Sequence, residues 1–173
     1  ASTGIYTFGD LNDDFIRPYN KYYASNGIRA YMASNSWGTT TTQTYAGLCQ
    51  PVDQFMCGHK DFCLFFSNGN SGPGAGTVNT PAVAKNCVSV GSCDNGAGGM
   101  NTVSSFSSRG PCADGRLKPT ICSPGNPVTS STSGTNTYGG MSGTSMSSPG
   151  ACGSGALIRQ YLREGWDPYG QKV

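Results

Sequence analysis

A glycine- and serine-rich loop that runs straight into a helical pattern constrains this chain more than any other stretch. Tyr138 to Gly150 is made almost entirely of Gly, Ser, Thr, Met and Pro. From Ala151 the spacing turns helical: Ala151, Ala156, Leu157, Ile158, Tyr161 and Leu162 are apolar, while Arg159, Gln160, Arg163 and Glu164 are polar. Gly165 is a stop signal after the last polar turn. Pro149 fits near the start of a helix, where few backbone donors have partners. Gly150, Gly153 and Gly155 each cost roughly 1 kcal/mol relative to Ala in a helix interior. Their presence predicts a buried helix that another element approaches closely. Ser145 then lies where a loop enters that helix, beside unpaired amides and the positive end of the helix dipole. That place suits a serine hydroxyl and negative charge developing next to it.

A chain of 173 residues holds one domain with a real core and not two comfortable ones. Charged residues are 12%, about half the usual share of roughly 25%, and the net charge is +2 without any basic run. This argues against nucleic acid or an anionic membrane as the main partner. No apolar run approaches the roughly 20 residues of a membrane-spanning helix. Eight cysteines form an even set with no C-x-x-C pair, which disfavours a structural zinc site. A secreted chain with two or more disulfides is the expectation, against the alternative that Cys63, Cys87, Cys122 and Cys152 are buried thiols.

In chain order, residues 10–23 read as a short helix, and residues 28–34 as a strand that ends at Ser36-Trp37-Gly38. A helix is expected from Pro51, then a buried strand over residues 62–66 and another over residues 87–92. Gly- and Pro-rich turns punctuate the rest, among them Ser123-Pro124-Gly125. Strands alternating with helical patterns favour an α/β fold with a mainly parallel sheet flanked by helices.

Gly143-Thr144-Ser145-Met146-Ser147-Ser148-Pro149 ahead of a small-residue helix closely resembles the nucleophile motif of subtilisin-like serine proteases, the subtilases. Three further stretches resemble that family in its order. Ser36-Trp37-Gly38 looks like the segment that pairs with extended substrate and walls the specificity pocket. Phe66 to Gly72 resembles the A-A-G-N-x-G segment, with Asn68 in place of the usual alanine. Residues 106–125 resemble the scaffold around the site, with Arg109 and Asp114 read as structural. Thr80-Pro81 matches a cis proline of the family. The resemblance implies a serine endopeptidase with Ser145 as nucleophile and Asn70 as oxyanion donor. Ser36, Trp37, Gly38, Ser67, Asn68, Gly69 and Thr144 would line the substrate groove. No cofactor is required. The family's structural calcium would find its best ligands at Asp94-Asn95-Gly96, where a plain turn is the preferred reading.

A serine nucleophile needs a base and a group to orient it. The one histidine, His59, falls between segments whose family counterparts carry no base, so it is read as non-catalytic. The family's H-G-T and D-[ST]-G motifs are absent from the sequence. The expectation is therefore a partial catalytic domain over 1–173, incomplete at both ends, acting on peptide or protein with an upstream segment as partner and inactive alone. The alternative is a non-catalytic subtilase-like module that binds peptides or partners.

Overall fold

The computed structural model describes residues 30–39, 43–166 and 170–171. The helix expected over residues 10–23 lies outside them. Four parallel strands form the sheet in the order β1-β2-β3-β4: β1 Met32–Asn35, β2 Cys63–Ser67, β3 Val88–Asp94 and β4 Ile121–Asn126. Helix α1, Cys49–Gly58, links β1 to β2 and starts two residues before Pro51. Proline is harmless there because first-turn amides lack helical partners.

The alternation of β2 divides the core. Leu64 and Phe66 join Val52 and Phe55 of α1 and the turn residues Val78, Ala82 and Val83 on one face. Phe65 and Cys63 point to the other face, against Ala151 and Cys152 of α2, Thr144–Arg163. This period of two is what a strand covered on both faces requires. Helix α2 packs against all four strands.

Three elements depart from the expectation. Helix α2 begins at Thr144, so Pro149 is inside it and not near its start. It is also buried on one side of its first half only, through Thr144, Ser147, Ser148 and Ala151, while Leu157, Ile158 and Leu162 are 61–69% exposed. The close approach is real at Gly155, where a Cβ would come 2.9 Å from Phe65 Cζ, whereas at Gly153 nothing lies within 4 Å. Second, Ser123-Pro124-Gly125 is part of strand β4. Proline is tolerated because β4 ends the order of strands and its register shifts at Cys93/Asp94. Third, β5 Val128–Ser131 and β6 Tyr138–Met141 form an antiparallel hairpin leading into α2. Its Ser-, Thr- and Gly-rich strands carry no apolar alternation that could have announced it.

The expectation of two or more disulfides is not met in this structure: all eight cysteines are free. Cys49, Cys87 and Cys112 sit inside the α1-side core, behaving as small apolar residues. The Cys87 Sγ lies 3.7–3.9 Å from the carbonyls of Pro81, Ala82 and Ala84. Burial pushes its thiol up to about 12.

Candidate active site

The C-terminal ends of β1 and β2 and the N-terminus of α2 meet at one edge of the sheet, where open α/β sheets hold their ligands. Ser67, the last residue of β2, and Asn68 and Gly69 past it are buried, and Asn70 emerges into solvent. Gly69 has φ +108, a backbone conformation open to glycine, and a Cβ there would come 2.7 Å from Ser108 Oγ. The loop is braced by residues 106–108: Ser108 N–H donates to Gly69 O at 2.9 Å, Gly72 N–H to Phe106 O at 2.8 Å and Ser71 N–H to Ser108 Oγ at 3.0 Å. The stretch read as scaffold therefore holds the loop in place. Thr80-Pro81 is cis, as the resemblance implied.

Asn70 is then oriented by α2. Its Oδ1 accepts from Thr144 N–H and from Thr144 Oγ1–H, each at 2.9 Å. With the oxygen committed twice, the amide's Nδ2 keeps both protons for another partner. The Thr144 hydroxyl also accepts from Gly69 N–H at 3.3 Å. One side chain thus links the β2 loop to the head of the helix.

Ser145, second residue of α2, is half-buried. Pro149 has no N–H, so the Ser145 carbonyl loses the helical donor four residues on. Ser36 supplies the replacement: its Oγ–H donates to Ser145 O at 2.9 Å, and Ser145 Oγ lies 3.5 Å from Ser36 O. This link between the β1 loop and the serine peptide was not legible in the sequence. Trp37 packs edge-on against Phe66 with ring centroids 5.4 Å apart, and Thr39 N–H donates to Thr80 O at 2.8 Å, which fixes the 36–39 segment.

Not every candidate faces the groove. Asn68 is fully buried, its Nδ2 donating to Ser108 O at 2.7 Å, so its side chain lies behind the surface. His59 caps α1 before β2, with Nδ1 2.8 Å from Phe55 O and its ring stacked on Phe55. Ser145 meets the loop beyond the far end of β2, a strand of five residues and so roughly 16 Å long. His59 is therefore not placed to serve Ser145. Asp114 pairs with Arg116 Nε at 2.8 Å, while Arg116 Nη1 donates to Val83 O at 2.9 Å, a structural tie between two loops. At Asp94-Asn95-Gly96, Asp94 Oδ1 accepts from Ser104 Oγ at 2.8 Å and from Asn126 Nδ2 at 2.9 Å. These donors hold the Asp94 carboxyl below its usual range. Among the described residues no three His, Cys, Asp or Glu side chains gather as a metal site. No helix among the described residues is long and apolar enough to cross a membrane.

Known proteins place this architecture. The chain is 31% identical over 156 residues, 80% of its length, to the serine protease/ABC transporter B family protein tagD of Dictyostelium discoideum. It is 38% identical over 108 residues, 53% of its length, to the serine protease AprX of Bacillus subtilis. It spans 8% of the first relative and 24% of the second. Among solved structures, the self-cleaved protease domain of PatA matches with TM-score 0.70 and 25% identity over 94% of this chain. The S41 psychrophilic protease matches with TM-score 0.67 and 25% identity over 91% of it. The chain covers 55% and 51% of those two structures. The model of the subtilase family matches residues 12–171, nearly the whole sequence, and the chain belongs to that family.

Proposed function

We propose that these residues form the nucleophile-bearing part of a subtilisin-type serine endopeptidase. The observation that carries the reading is the Asn70 amide, held by two hydrogen bonds from Thr144 beside Ser145. Ser145 Oγ attacks the scissile carbonyl. The carbonyl oxygen, as it becomes an oxyanion, receives the Asn70 Nδ2–H and the positive end of α2. Donors fixed in advance toward developing charge need no reorganisation in the transition state, and losing one costs about 10²–10³ in kcat. Ser36, Trp37 and Gly38 offer the extended edge along which peptide lies.

The base that accepts the Ser145 proton, and the carboxylate that orients it, come from a segment outside these 173 residues; the chain by itself is inactive. Residence outside the cytosol belongs to the same proposal. The chemistry calls on no cofactor.

The test is a fluorophosphonate probe applied to the native, unreduced protein, read by intact mass and peptide mapping. An adduct on Ser145 in a species heavier than 17.9 kDa is the expected result. Folded protein of that larger mass with Ser145 unlabelled would sink the proposal and leave a binding module.

A further inference from the structure

Two arginines one turn apart near the end of α2 share one aromatic ring. The Arg159 guanidinium lies 4.2 Å from the centroid of the Tyr31 ring, and that of Arg163 lies 5.4 Å from the same ring. Among the described residues neither meets a carboxylate. Like charges at this spacing repel, and an aromatic face offsets only part of that cost. Arg159 is half-buried, and its Nε has no hydrogen-bond partner. Glu164, the acid next to Arg163, is engaged by Gln160 Nε2 at 2.7 Å and by Trp166 Nε1 at 2.9 Å. A guanidinium held on a ring with its donors unspent is a site for a carboxylate.

The two arginines border a cavity of about 590 Å³ between α2 and the start of β1, where Tyr31 and Met32 form the opposite wall. The same turns of α2 leave Leu157, Ile158 and Leu162 61–69% exposed. A cationic pocket beside an apolar stripe suits a polypeptide with a carboxylate and apolar side chains; a small anion would leave the stripe uncovered. Strand β1 leads from this cavity to the nucleophile. It begins at Met32, and Ser36, directly after its end at Asn35, donates to Ser145 O. A segment seated in the cavity and following β1 therefore arrives at Ser145. A second copy of the chain is a poor occupant. Its net charge is +2, and Asp53, Asp94, Asp114 and Glu164 already accept hydrogen bonds within their own fold.

We propose that Arg159, backed by Arg163 and Tyr31, anchors the segment that brings the base to Ser145. It takes one of that segment's carboxylates in the cavity, while apolar side chains of the segment cover Leu157, Ile158 and Leu162. Arg159 and Arg163 are thus positioning residues, with no contact to substrate. The proposal deepens the protease reading above and rests on it, since that reading takes the base from a segment outside the 173 residues. In the sequence the two arginines read as the polar face of an ordinary helix.

The test places an amine at the anchor in the native, unreduced protein. Arg159→Lys keeps the charge, and a water-soluble carbodiimide joins its amine to a carboxylate in contact with it. Arg163→Lys serves in its place if the first variant loses its helical circular dichroism. Peptide mapping is expected to show the substituted position linked to an Asp or Glu outside the 173 residues, in protein whose Ser145 takes up a fluorophosphonate. Arg159→Met keeps the packing on Tyr31 but removes the charge, and is expected to slow that labelling about tenfold. No link beyond this chain while Ser145 is labelled would overturn the anchor and leave the protease reading standing; so would a full labelling rate in Arg159→Met. Ser145 unlabelled in the folded, heavier protein would overturn the protease reading, and the anchor with it.

Discussion

Asn70 and Thr144 are joined twice, the helix residue giving both its N–H and its hydroxyl proton to one carboxamide oxygen at 2.9 Å. The two residues are 74 positions apart and come from different elements, one after β2 and one opening α2. Because both bonds converge on Oδ1, the amide is defined in rotation, and the direction in which Nδ2 points follows from the position of the helix. The geometry of the proposed oxyanion donor is thereby tied to the same helix that carries the serine.

Loosening that tie should lower turnover before it weakens binding. Under the proposed protease reading, with the segment that supplies the base present, Asn70→Ala is expected to reduce kcat by about 10²–10³ with little change in KM. Thr144→Val keeps the volume and the N–H but removes one of the two bonds, so a loss of roughly tenfold in kcat is expected. Steady-state kinetics on a peptide amide decides it. A rise in KM at constant kcat would show that Asn70 acts in uniform binding instead.

Ser36 and Pro149 are expected to be coupled. Ser36→Ala leaves the Ser145 carbonyl without its side-chain donor and should cost about 1 kcal/mol in urea unfolding. Restoring a backbone donor with Pro149→Ala should remove most of that cost, since the helical bond to Ser145 O becomes available. Additive losses in the double variant would contradict the account.

Two glycines should respond to alanine with opposite signs. At Gly125 a Cβ would run into Ser147 Oγ, 2.6 Å from Ser92 Oγ and 2.7 Å from Gly143 O, where the strand, hairpin and helix meet. Gly125→Ala is expected to destabilise by about 1–3 kcal/mol. At Gly153, exposed in α2 with nothing within 4 Å, alanine should stabilise by up to about 1 kcal/mol through helix propensity. Thermal unfolding of both variants separates packing from propensity.

Asp94 gives stability an acid limb. Hydrogen bonds from Asn126 and Ser104 lower its carboxyl below the usual value near 3.8. A depressed folded-state value means the unfolded chain takes up the proton first as pH falls. Its contribution is thus complete above that usual value and is lost as pH drops through the folded one. Asp94→Asn should flatten the unfolding free energy over that acid window and leave the neutral region with the same slope. An unchanged acid limb would mean that the carboxyl is not held in solution.

Cysteine labelling should sort by burial. Cys57 and Cys122 are exposed, while Cys49, Cys87, Cys93 and Cys112 are buried, and burial raises the thiols of all four of these. Brief iodoacetamide treatment of folded protein at neutral pH is expected to modify Cys57 first and Cys87 last, since thiolate is the reactive form. Peptide mapping without reductant checks the same thiols: linked peptides at Cys87 would contradict its place in the apolar core.

Much of the architecture was legible because it rests on local patterns. The unbroken apolar run of residues 62–66 reads as a buried strand, and the spacing of residues 151–162 reads as helix; both signals act over a few residues. Strand β4 was hidden by Pro124, whose missing donor looks disqualifying until the strand is seen to end the sheet among the described residues. The hairpin over residues 128–141 was hidden because its faces differ little in polarity. The helix start was misplaced because propensity sees Pro149 but not the Ser36 hydroxyl that compensates for it.

By itself the sequence determined the fold class, the order of its motifs and the serine at the head of the helix. Those follow from periodicity, turn chemistry and a seven-residue string. Only the tertiary structure decided which atoms meet there: the Asn70 amide turned by Thr144, and the Ser145 carbonyl taken by Ser36 from 109 positions away. These contacts join residues brought together by the parallel sheet and by the close packing of α2 upon it. No local preference encodes such distances, because they exist only once the long connections between parallel strands have closed.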